Sequence, residues 1–108
     1  RNWTDGTVNA YASRQGSDWI VAMFGGLARH KETTIDGFML VVCHELGHHI
    51  GGAPKYKRGR TDEWASNEGE SDYFATLKCA RRVLYKADNV EEVGFLDVPA
   101  EVKKNCAD

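Results

Sequence analysis

The sequence predicts an α+β fold, in which a small antiparallel sheet is followed by a long helix and a second helix packed on it. Three observations predict it. Alternating, β-rich segments crowd residues 1–28, helical periodicity takes over from residue 33, and no repeat, low-complexity tract or internal linker divides the chain. A length of 108 residues suits a single domain over 1–108 with one modest core. At that size a metal or a disulfide would add useful stability.

The strands come first. "TVNAYAS" (7–13) alternates as a strand does, and "DWIVAMFGGL" (18–27) is a second β-rich run ending at a glycine turn. Asp5-Gly6 and Gln15-Gly16-Ser17 are the expected turns. "TTIDGFMLVVCHELGHHI" (33–50) then reads as a helix. Thr33 or Thr34 caps it, Asp36 lies in its first turn, and Gly51 is expected to end it in a left-handed conformation. Residues 52–63 are expected to form a polar loop around Pro54 and Gly59. A second helix is expected from about Trp64 to Lys86, with Tyr73, Leu77, Ala80 and Leu84 as its buried stripe and Trp64 pinning its start. "DVPAEVKKNC" (97–106) suggests a short last helix with Pro99 in its first turn. Trp3, Trp19, Phe24, Phe38 and Phe95 are expected to be core or half-buried.

The bulk numbers exclude some partners. A net charge of −2 gives no electrostatic reason to expect nucleic acid or an anionic membrane. The longest apolar run, Phe38–Cys43, is too short to span a bilayer. Localisation is left open, with a secreted or periplasmic setting favoured. The three cysteines allow a Cys79–Cys106 bridge that leaves Cys43 free, or three reduced thiols.

The chemistry concentrates in "CHELGHHIGG" (43–52). His44 and His48 are four residues apart, about 40° round a helix, so both rings leave one face and can reach a single ion. Zinc suits such imidazole ligands. Glu45 lies beside them and is placed to take a proton from a zinc-activated water. The segment is therefore an H-E-x-x-H zinc motif, with Glu45 as the catalytic candidate.

The third ligand must come from elsewhere. An extended H-E-x-x-H-x-x-G-x-x-H pattern fails, because its last position is Pro54. Cys43 and His49 adjoin the two ligands and point about 100° away from them. The remaining source is the acidic segment "NEGESDYFATL" (67–77). Glu68 and Asp72 are four residues apart and share a helical face, so one can ligate while the other accepts the spare N–H of a ligating histidine. His44, His48 and Glu68 form the predicted metal set. Glu70 reads as solvated.

With these residues in place, the sequence resembles the gluzincins, zinc peptidases that use two histidines and a glutamate. "NEGESDYFATL" is similar to the Asn-Glu-x-x-Ser-Asp segment of thermolysin-like peptidases and to the Glu-x-x-Ala/Ser-Asp pattern of HtpX-type and CAAX-processing enzymes. That resemblance makes Glu68 the third ligand and Asp72 the residue that orients the first histidine. "VNAYA" (8–12) looks like the strand segment beside the cleft in both groups, which implies that Asn9 and Ala10 contact substrate backbone. The run into the metal helix resembles the HtpX type more closely. The transmembrane helices of those enzymes, and the C-terminal helical domain of thermolysin-like enzymes with its transition-state histidine, have no counterpart here. Tyr56 and Arg58 are the candidates for that missing role.

The resemblance implies a zincin-like fold, Zn2+ as cofactor, a peptide or protein substrate, and hydrolysis by an endopeptidase with Glu45 as general base. The alternative is a latent or inactive zincin-fold domain in which zinc is structural and residues 88–108 lie over the cleft.

Overall fold

The computed structural model describes residues 3–107. The expected α+β composition is present, but the strands form two separate two-stranded sheets where the sequence suggests one. In the first hairpin, β1 (Ala10–Gln15) pairs antiparallel with β2 (Asp18–Met23), in a register that sets Ala10 opposite Met23 and Arg14 opposite Trp19. Gly16 makes the turn at φ 57°, a left-handed value that suits glycine. A single turn of helix, α1 (Gly25–Ala28), leads on to α2 (Ile35–Ile50). The Thr34 side chain caps α2 by accepting the Gly37 N–H.

The second hairpin occupies the segment expected to be loop and helix start. β3 (Lys55–Arg58) pairs with β4 (Thr61–Ser66) through a bulged register, and Gly59 turns at φ 66°. These strands are mostly exposed, so they carry no inward-facing apolar alternation to announce them. Trp64 therefore lies in β4 and does not open the second helix. That helix starts at α3 (Glu68–Tyr73), where the Asn67 side chain accepts the Glu70 N–H at 3.0 Å. It runs on through a π-helical stretch (Phe74–Ala80) into α4 (Arg81–Val83).

The buried face differs from the expected stripe: it lies toward α2, with which both α3 and the π-helical stretch make contact. Ser71 and Ala75 are buried, while Tyr73 and Leu77 are exposed and Ala80 and Leu84 half-buried. α5 (Asn89–Gly94) and α6 (Ala100–Asn105) follow, with Pro99 just ahead of α6 rather than inside its first turn.

The interior is small and unusually polar. Among the described residues the buried apolar side chains are Cys43, Ala65 and Ala75, and they sit with Glu45, His48, His49, Ser66 and Ser71. Phe24 and Phe38 are half-buried as expected, but Trp3, Trp19 and Phe95 are exposed. Gly51 does not turn left-handed: its φ is −62°, and Gly52 takes the positive φ of 103°.

The cysteine pairing also differs from the expected option. Cys43 on α2 bonds Cys79 on the π-helical stretch, with Cα atoms 5.7 Å apart, and Cys106 is the free, exposed thiol. The two helices pack side by side and bring those thiols together, a proximity that spacing along the chain cannot reveal. Among the described residues no helix is long and apolar enough to cross a membrane.

Candidate metal centre

α2 and α3 meet at Gly47, where a side chain's Cβ would stand only 2.9 Å from the Cα and the carbonyl oxygen of Ser71. Glycine at that position lets the backbones approach, and the approach sets Glu68 and Asp72 over the histidines of α2. His44, His48 and Glu68 each offer one ligand atom, all within 4.8 Å of one another, and the group could hold a metal ion. His44 Nε2 is 3.0 Å from Glu68 Oε2, and His48 Nε2 is 3.6 Å from Glu68 Oε1. Tetrahedral zinc with bonds of about 2.0 Å would want its ligand atoms roughly 3.3 Å apart. The two observed spacings, one to each oxygen of Glu68, lie on either side of that figure, so the donor set could hold a metal ion.

Both histidines are held in the tautomer a metal needs. His44 Nδ1 donates to Asp72 Oδ1 at 2.8 Å. His48 Nδ1 lies 2.8 Å from the Ser66 carbonyl oxygen and 3.0 Å from Ser71 Oγ. A carbonyl can only accept, so the proton sits on Nδ1 and the Nε2 lone pair faces the ligand cluster. Asp72 is thus placed where the sequence puts it. Ser66 and Ser71 are additions: the motif contains Ser71, but its contact with His48 has no local signature.

Glu45 is 7 % exposed and lies between this cluster and β1. Burial pushes its carboxyl above the usual range, against the pull of His44 and His48. The backbone of Ala12 hydrogen-bonds it. Glu68 is shifted the other way, chiefly because the Tyr56 hydroxyl donates to its Oε1 at 2.5 Å. The same bond holds the Tyr56 phenol above its ordinary value.

Around these groups lies an open cleft of about 420 Å³. Asn9, Ala10, Tyr11 and Ala12 form one wall, Tyr56, Trp64 and Ala65 the other, and His44, Glu45, His48 and Glu68 the floor. The expected substrate contacts Asn9 and Ala10 therefore border the floor residues. Of the two candidates on the second hairpin, Tyr56 reaches the site. Arg58 does not line the cleft and faces Glu63 at 4.0 Å, with its side chain 90 % exposed. All lining residues fall between Asn9 and Glu68, so among the described residues none of 88–107 lines the cleft.

Comparison with protein-family models, with curated proteins and with solved structures returns no match for this chain.

Proposed function

We propose that this chain is a zinc metallopeptidase of the gluzincin type on a zincin-like fold, hydrolysing peptide bonds with Glu45 as general base. The observation that carries the reading is the joint placement of His44, His48 and Glu68 with Asp72 behind His44. Three converging ligand atoms alone would serve a structural ion as well. A buried carboxylate beside them, in an open cleft, favours catalysis.

Bound zinc would act as a Lewis acid on the scissile carbonyl and make a water molecule acidic. Glu45 would accept a proton from the attacking water and return it to the leaving amine as the C–N bond breaks. Asp72 and Ser66 keep the histidine lone pairs aimed at the metal position. The neutral Tyr56 hydroxyl lies at the cluster, within reach of negative charge that develops there. β1 pairs with β2 on one side and borders the cleft along Asn9–Ala12, so its backbone is available to an extended peptide.

The test is zinc per chain in the purified protein, in Glu68→Ala and in Glu45→Gln, with peptide-library cleavage assayed in parallel. The reading expects about one zinc in the wild type, much less in Glu68→Ala, and full zinc without cleavage in Glu45→Gln. A wild type that takes up no offered zinc sinks it. Full zinc with no cleavage by the wild type would leave the structural-zinc alternative.

A further inference from the structure

The metal set is split between two helices, and two ties hold them together. His44 and His48 lie on α2, while Glu68 and the Asp72 that supports His44 lie on α3, which continues into the π-helical stretch. One tie is the close approach of Gly47 to Ser71. The other is the bond between Cys43 and Cys79. On α2 the two ties are four residues apart, about 6 Å. His44 lies between them and directly follows Cys43. Little apolar burial supplements these ties. Among the described residues the buried apolar side chains are Cys43, Ala65 and Ala75, and Cys43 is itself half of the bond. So small a core contributes little to holding the helices in line, and the covalent link carries a correspondingly larger part. Opening it frees the Cys79 end of the second helix to move against α2, and Glu68 and Asp72 are carried on that helix.

The bond is open to attack from one side. Cys43 is 2 % exposed, but Cys79 is half-buried and lines a surface cavity with Leu46, Phe74, Lys78, Arg82 and Val83. That cavity shares no residue with the cleft, so a reductant can reach Cys79 without entering the metal site. Lys78 and Arg82 make no ion pair among the described residues, and their charges favour the approach of an anionic thiolate. Such a thiolate forms a bond to Cys79 Sγ as the Cys43–Cys79 bond breaks, and Cys43 takes up a proton. A second thiol of the reductant then displaces Cys79, which takes up a proton in turn. Two reductant thiols become one disulfide, and the protein disulfide becomes two thiols.

We infer that the Cys43–Cys79 bond is a redox switch on the metal centre, opened through Cys79 by a thiol reductant, and that opening it weakens the hold of His44, His48 and Glu68 on their ion. This adds regulation to the site described above and rests only on the metal-binding part of that reading. The coupling is reciprocal. Whatever factor the closed bond adds to metal affinity, a bound ion adds to the resistance of the bond to reduction.

Two measurements on the full chain test it. The first is zinc affinity, read by competition with a chromophoric chelator, in the oxidised wild type and in the double variant Cys43→Ala/Cys79→Ala. At least tenfold weaker binding by the variant is expected. Equal affinity overturns the switch and leaves the metal centre standing, whereas no zinc uptake by the oxidised wild type overturns both. The second needs no variant at the bond. The wild type is equilibrated in glutathione redox buffers, with free zinc either removed or held at saturation, and opened Cys43 and Cys79 are measured by alkylation and mass spectrometry. At a fixed buffer composition zinc should lower the open-to-closed ratio of the bond at least tenfold, and should do so far less in Glu68→Ala. An unchanged ratio, or a shift of equal size in Glu68→Ala, overturns the proposal. Zinc-driven opening also overturns it, because the freed thiols would then be taking the ion themselves.

Discussion

Asp72 Oδ1 accepts the Nδ1 proton of His44 at 2.8 Å, across 28 residues of sequence and from the neighbouring helix. Through that bond, residue 72 acts on the metal position without touching it. Asp72→Ala should lower zinc affinity about 10- to 100-fold, read by competition with a chromophoric chelator, because the imidazole loses both its orientation and some of its basicity. Asp72→Asn can still accept through its amide oxygen and should fall between. Wild-type affinity in Asp72→Ala would show that His44 needs no such support.

Tyr56 touches the same site from the opposite wall, through Glu68. Tyr56→Phe removes one hydroxyl and leaves all three ligands in place. Zinc affinity should stay within about tenfold, while kcat for peptide cleavage drops about 10²-fold with KM little changed, the pattern of a donor that matters in the transition state. A rise in KM at unchanged kcat would assign Tyr56 to ground-state binding only.

Gly47 is a position where α2, which carries His44 and His48, runs close against α3, which carries Glu68. Gly47→Ala puts a methyl group 2.9 Å from Ser71 backbone atoms, which cannot yield as a flexible side chain can. Urea denaturation should show a loss of about 1–3 kcal/mol, the usual cost of overpacking. Zinc affinity should fall with it, since Glu68 and Asp72 are carried on the displaced helix. A stability gain, as expected of alanine in an unobstructed helix, would mean that the helices are not in contact there.

The Cys43–Cys79 bond ties the residue before His44 to the helix that carries Glu68, closing a loop with a sequence separation of 36. Its reduction, or a Cys79→Ser exchange, should cost about 2–4 kcal/mol and lower the melting temperature. Cys106→Ser should change neither the melt nor the disulfide-linked peptides found by non-reducing digestion. Loss of the linked peptide in Cys106→Ser would restore the Cys79–Cys106 pairing.

The reach of the sequence and of the tertiary structure can be separated residue by residue. Helical periodicity is local, so the spacing of His44 and His48, the sideways position of Glu45 and the shared face of Glu68 and Asp72 were all legible from the chain alone. The first hairpin and α2 were legible for the same reason: alternation, turn glycines and a capping threonine lie within a few residues of what they specify. What only the fold decided are relations between distant residues. Lys55 to Ser66 form a hairpin because polar strands pair with each other, without an apolar face to mark them. Cys79 meets Cys43 because two helices pack, and that packing buries Ser71 and Ala75 where Tyr73 and Leu77 were expected. His49, set aside for pointing away from the metal, instead fills the space between Trp19 and Trp64. Such contacts depend on how elements of different kinds are brought together in space, and a linear pattern carries no record of that distance.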